Sequence, residues 1–195
     1  MTSALRNISG LTLLAIVIAG CNPAKNKVDL APLRASYAPV HDMEIVVSAG
    51  ITLDEYSPRV TDALLKFKNS EDGCKQVAVN LIDPSQKSQA MEVCRHLGIA
   101  IDAYVAAKGY FGDTHETDLD PFEEGKNNFI DNREYVDLRT RFPGLEEVPP
   151  SNEDNPIPSR IYWRGPVLQA LWKLANQESQ TAKALIDNLS QQASL

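Results

Sequence analysis

The densest run of groups able to do chemistry is GDTHETDLDPFEEG, residues 112–125, which holds Asp113, His115, Glu116, Asp118, Asp120, Glu123 and Glu124. Carboxylate oxygens crowded on a loop are what a calcium ion requires, and Asp113, His115, Asp118 and Asp120 are the candidate ligands. The spacing fails the EF-hand test, because Asp118-x-Asp120 leads into Pro121 and Phe122 where a third oxygen ligand and then a glycine are needed. A solvated acidic loop outweighs a cation site here, and no cofactor is expected. The second such run is RIYWRGP, residues 160–166, in which Tyr162 and Trp163 lie between Arg160 and Arg164. That composition suits stacking and interaction hot spots. The competing reading buries one ring in the core and pairs the arginines with the acidic loop, and it carries more weight.

Catalytic signatures are otherwise missing. There is no G-x-S-x-G elbow, P-loop or G-x-G-x-x-G, and His115-Glu116 is followed by Thr117, Asp118 and Leu119 rather than by the second histidine of H-E-x-x-H. His41, His96 and His115 are scattered along the chain. A glycosidase pair needs only two acids at a suitable separation in the fold, so a chain with 26 acids nominates none in particular. The net charge of −7 speaks against nucleic acid, which requires a basic surface, and against extensive docking on anionic lipid. Acidic surfaces suit cationic partners or divalent cations.

The amino terminus carries an address. MTSALRN has Arg6 as its only charged side chain, Leu11 to Ile18 form a short apolar core, and small residues follow, a secretory signal layout. Polar Asn7 and Ser9 on one side and Asn22 on the other leave the run shorter than the about 20 residues a membrane span needs. Its ending, Ile18-Ala19-Gly20-Cys21, resembles the lipobox of bacterial lipoproteins. The resemblance covers residues 1–21 only. It implies removal of residues 1–20 as a signal peptide, a diacylglyceryl group on the Cys21 thiol, and a further acyl chain such as palmitate on its new amine. Two or three chains anchor a protein durably where one is marginal, so the membrane link would be the lipid itself, without a span. Asn22, rather than Asp, after the cysteine leans towards the outer membrane, facing the periplasm, over the inner membrane. With Cys21 lipidated in an oxidising compartment, Cys74 and Cys94 remain as a pair and are expected to form a disulfide. There is no C-x-x-C and no histidine pair at zinc spacing to favour a redox or metal role.

These features divide the chain into a signal peptide at 1–20, a lipidated cysteine and tether at 21–50, and a single mainly helical domain at 51–195. Residues 22–42 mix Pro, Ala, Lys and Asn without a sustained period, as a tether does. MEIVVSAG, residues 43–50, reads as a short strand or as the first buried segment. Thr52 and Glu55 form a capping-box pattern ahead of a stripe at Tyr56, Val60, Ala63, Leu64 and Phe67. Pro58 implies either a kink there or a second start capped by Ser57. CKQVAVNLI, residues 74–82, suits strand and helix equally.

Asp83-Pro84 is a clear helix start, followed by Ala90, Cys94, Leu97, Ile101, Tyr104 and Ala107 at helical steps. Gly98 within it marks a candidate close helix crossing. Residues 112–158 are acidic, Pro-rich and irregular, with FIDNREYVDLRTRF able to pack locally. A last helix of about seven turns carries Leu168, Leu171, Trp172, Ala175, Ala182, Leu185 and Leu189. The expected fold is mainly α: a small helical bundle clasped by a long irregular acidic and Pro-rich loop, with one disulfide.

The expected function is that of a non-enzymatic, lipid-anchored cell-envelope module that binds a protein or an envelope component. The alternative is an envelope hydrolase with acidic catalytic residues in the long loop. An enzyme requires a deep pocket where His115 or Glu116 meets polar groups of perturbed pKa, whereas a binder requires a flat or grooved apolar-aromatic patch.

Overall fold

The Asp83 carboxylate accepts the backbone N–H groups of Ser85 at 2.8 Å and Gln86 at 2.9 Å, with Pro84 in the first helical position. This cap supplies partners for donors that a helix start would otherwise leave open. In the computed structural model, which describes residues 29–111, 129–151 and 160–192, it opens a helix at Pro84–Lys108, as the sequence predicts. The described elements in chain order are α1 (Ala31–Ala49), α2 (Leu53–Asn80), α3 (Pro84–Lys108), β1 (Phe129–Asp131), α4 (Asn132–Arg141), β2 (Ile161–Trp163) and α5 (Arg164–Gln192). The four long helices form the bundle. Helix α3 packs most extensively, against α5 and α2, and α1 closes the structure against α2, α5 and α3.

Helix α1 corrects the expected tether. Residues 31–49 are helical and bury Leu33, Ser36, Pro39, Val40 and Met43, so the folded unit begins well before residue 51. The period is hard to see because two of the five buried positions are Ser36 and Pro39. MEIVVSAG is accordingly neither a strand nor the first buried segment, since Leu33, Ser36, Pro39 and Val40 precede it; it is the end of this helix, which stops at Gly50 with a φ of +84°. Glycine adopts that left-handed region without the Cβ clash other residues meet.

Helix α2 runs unbroken through Pro58, so no second start at Ser57 is needed. Thr52 occupies the cap position, yet its side chain makes no cap hydrogen bond, so the capping box does not close. The ambiguous residues 74–80 complete this helix. Cys74, Val77, Ala78 and Leu81 are all buried, a three-and-four spacing, whereas Val79 is 62% exposed and breaks the alternation that favoured a strand.

The Cys74–Cys94 disulfide is formed and clamps α2 to α3. Gly98 does not mark a crossing, since a Cβ built there meets nothing within 4 Å. The close approach lies at Gly73, where a Cβ would sit 3.3 Å from the Pro32 Cβ at the start of α1.

Beside the bundle, β1 and β2 pair antiparallel, Phe129 opposite Trp163 and Ile130 opposite Tyr162. No strands were expected here. Asp131 ends β1 and caps α4, accepting the Glu134 N–H at 2.8 Å. Ile130, Tyr135, Leu138 and Phe142 are buried, so this segment packs locally as expected, whereas Val136, expected to join them, is 51% exposed. Helix α5 has 29 residues, about eight turns and one more than expected, with Pro166 in its first turn where a missing N–H breaks no helical bond.

Candidate functional site: an amide-lined groove between the first and last helices

Three elements meet through a chain of hydrogen bonds. The Trp172 Nε1–H of α5 donates to the Tyr56 hydroxyl of α2 at 3.0 Å, and that hydroxyl donates to the Tyr104 carbonyl of α3 at 2.8 Å. The Tyr104 hydroxyl in turn donates to Asn176 Oδ1 of α5. Phe111 stacks on Tyr56 at 4.9 Å and tilts against Trp172 at 5.2 Å, which sheathes the chain in aromatic surface. Burial pushes the pKa of Tyr56 and of Tyr104 far above the usual phenol value, so both remain proton donors.

One turn further along α5, Glu44 of α1 collects side-chain partners. Its Oε2 faces His41 Nδ1 at 3.3 Å and accepts from the Ser179 hydroxyl at 3.2 Å, while Oε1 accepts from Gln180 Nε2 at 3.1 Å. A serine, a carboxylate and a histidine in this order do not make a nucleophilic triad. The imidazole must stand between hydroxyl and acid to take the proton, and here the acid is in the middle. Ser179 is also fully buried.

His96 is similarly engaged. Its Nδ1 contacts Glu178 across the α3–α5 seam, and its Nε2 faces Arg95 Nη2 at 3.0 Å and Glu92 Oε2 at 3.7 Å. No nucleophile contacts this pair.

Above the Glu44 and Tyr104 contacts lies an open groove of about 610 Å³. One wall is the end of α1 and its exit, Val47 to Ile51; the other is the α5 stripe of Gln169, Trp172, Lys173, Asn176, Gln177 and Gln180. No carboxylate lines it, and Lys173 Nζ is paired with Glu146 at 2.7 Å. The surface is therefore aromatic and amide in character. It suits a ligand held by stacking and by neutral hydrogen bonds.

Two other depressions carry charged side chains, the first of them on a mainly apolar floor of Pro39, Met43, Ile45, Val46 and Ala63. A cleft of about 260 Å³ between α1 and α2 carries Asp42, Arg59, Asp62 and Lys66, with Lys66 and Asp62 joined at 2.7 Å. An open dish of about 470 Å³ carries Tyr110, Arg133, Glu134 and Arg141. Burial, reinforced by Glu134, pushes the Tyr110 phenol up to about 12.

Of the residues singled out in the sequence, Cys74 and Cys94 are brought together and Tyr162 and Trp163 are separated. Successive strand residues face opposite ways. Tyr162 is buried and stacks on Tyr135 at 3.9 Å, whereas Trp163 is 46% exposed with its ring 4.0 Å from Phe129. Cys21, Asp113, His115, Glu116, Asp118 and Asp120 lie outside the described residues. Among the described residues there is no cluster of three or more metal-ligating side chains, and no helix is long and apolar enough to cross a membrane.

Sequence reasoning did not single out Glu44, Asn176 and Gln180, and it placed Trp172 only on the core stripe. The available signal was the four-residue step Trp172, Asn176, Gln180, which sets an aromatic ring and two amides on one helical face. No protein-family model, curated protein or solved structure matches the chain significantly, so the function is argued from its own residues.

Proposed function

We propose that this protein is a lipid-anchored binding module of the bacterial cell envelope, tethered through Cys21 and presenting a helical bundle to a protein or envelope component. The groove between α1 and α5 carries the reading. It is open, lined by amides and Trp172, and free of carboxylates, which fits reversible recognition. Glu44 and His96 are engaged by Ser179, Gln180, Glu178 and Arg95, and the Ser179 hydroxyl is fully buried, which speaks against hydrolysis at these positions. Trp163, half-exposed and braced by Phe129, offers a second anchor of the kind that dominates protein interfaces. The lipobox-like ending at Cys21 supports anchoring at the outer membrane facing the periplasm, with Asn22 as the residue that follows.

Metabolic labelling with a fatty acid and fractionation of cells carrying the wild type or Cys21→Ser test the anchor. The wild type should be labelled and membrane-bound. The variant should lose the label and either enter the soluble envelope fraction or stall with its signal peptide uncleaved. Normal membrane retention of an unlabelled wild type overturns it. Crosslinking in intact cells followed by mass spectrometry then identifies what the bundle touches.

A further inference from the structure

The groove lining selects its ligand, and the following inference rests on the binding-module reading. In a chain of net charge −7, the lining contains no acid, so nothing in it favours a metal cation or a basic peptide. Its one cation, Lys173, is solvent-exposed and paired with Glu146, a lone screened charge that gives weak purchase on a phosphate or a carboxylate. The rest of the lining is neutral, four amides beside the apolar Val47, Ile51 and Trp172.

Two of its amides are held in a fixed sense. The Glu44 carboxylate only accepts, so it fixes Gln180 Nε2 towards itself and leaves Oε1 as an acceptor. The Tyr104 hydroxyl donates to Asn176 Oδ1, which leaves the Asn176 amide N–H groups as donors. Gln169 and Gln177, both exposed, supply either sense. Trp172 lies four residues from Asn176, about 6 Å along the axis, and its N–H is engaged by Tyr56, so it offers the groove apolar ring surface.

Apolar ring surface flanked by a fixed donor and a fixed acceptor complements a pyranose, which carries C–H faces and a rim of hydroxyls. A peptide strand is less well served. It docks by pairing along a free strand edge, and neither wall here is a strand: one is α5 and the other is the last turn of α1 with Gly50 and Ile51 beyond it.

We propose that this groove binds a neutral oligosaccharide, one sugar ring against Trp172 and its hydroxyl or acetamido groups on Asn176 and Gln180.

The test is a titration of the full ¹⁵N-labelled chain, held in a zwitterionic detergent without sugar head groups, with the tetramer of N-acetylglucosamine and with maltotetraose. The side-chain amide resonances of Asn176, Gln177 and Gln180 should shift saturably with at least one saccharide. Gln180→Ala should weaken that binding by about tenfold, the loss of one well-placed hydrogen bond. Ser48→Trp, on the exposed rim, should block the groove and abolish the shifts while leaving the core intact.

Three results overturn the proposal: no amide shift with either saccharide at tens of millimolar, shifts unaffected by Ser48→Trp, or shifts produced by acetyl-tetraglycine amide and by neither sugar. Failure here, with Cys21-dependent anchoring and envelope crosslinks intact, removes the saccharide and leaves the module. Loss of anchoring with saccharide binding intact does the reverse.

Discussion

Trp172 Nε1 donates to the Tyr56 hydroxyl at 3.0 Å across 116 residues of chain, and this bond joins the back of the groove to the centre of the bundle. Tyr56 makes a second bond, to the Tyr104 carbonyl, inside an aromatic sheath completed by Phe111. The ring that lines the groove is thereby held by the same contacts that fix α2, α3 and α5 together. Tyr56→Phe keeps the packing and removes both bonds. Because the Tyr104 carbonyl retains a helical partner, the main loss is the Trp172 donor's partner, and the cost should be about 1–2 kcal/mol by urea unfolding. An unchanged urea midpoint would show that the bond contributes nothing net.

Buried and partly buried phenols make the fold sensitive to alkali. Tyr56, Tyr104 and Tyr110 all have pKa values raised above the ordinary value near 10, with burial the first cause in each. The folded state holds these protons to higher pH than the unfolded chain does. Their stabilising effect is complete below about pH 10 and declines as pH rises towards the folded values, Tyr110 titrating at about 12 and the other two above it. The exposed ion-paired Lys66 and Lys183 shift in the same direction but are screened by solvent. Denaturant midpoints measured from about pH 8 to 12 should fall with the rise of phenolate absorbance. A flat midpoint with all tyrosines ionising near their ordinary value sinks this account.

The disulfide closes a loop between residues 20 apart in sequence. In the chain-entropy model its loss costs about 3 kcal/mol, which for a chain of this size lowers Tm by on the order of 10 °C. The double variant Cys74→Ala, Cys94→Ala measures this without leaving a free thiol at either position. Its urea midpoint should fall while helical circular dichroism stays at the wild-type level; equal midpoints for the two proteins would mean that packing alone fixes α2 on α3.

Tyr162 and Trp163 should respond oppositely to truncation. Tyr162→Ala removes a buried ring stacked on Tyr135 and should cost about 3–5 kcal/mol. Trp163→Ala removes a half-exposed ring and should cost no more than about 1 kcal/mol while weakening partner crosslinks in cells. Similar destabilisation by both would place Trp163 in the core and remove it as an anchor.

The cap at Asp83 gives a local test. Asp83→Ala frees two N–H groups at the start of α3 and should cost about 1 kcal/mol in urea unfolding. Asp83→Asn, which keeps a side-chain acceptor, should recover most of it; equal losses in the two variants would show that the cap bonds are not the source.

Sequence alone determined the features written within a turn or two of helix: the cap at Asp83-Pro84, the buried stripes of α3 and α5, and hence the helical bundle. It also indicated the cysteine pair, because Cys21 falls in a lipobox-like ending that leaves Cys74 and Cys94 over. Tertiary structure decided the segments whose local signals were weak or divided. Helix α1 carries Pro39 inside and buries Ser36, so no clean apolar period announces it, and packing against α2 and α5 stabilises it. Residues 74–80 hold both an alternating and a helical pattern, and burial of Cys74, Val77 and Ala78 selects the helix. The groove belongs wholly to the tertiary level. Glu44 and Gln180 are 136 residues apart and meet at 3.1 Å, because α1 returns to the bundle beside α5. Capping and periodicity act locally, whereas a binding surface assembled from both ends of the described chain exists only once the helices have packed.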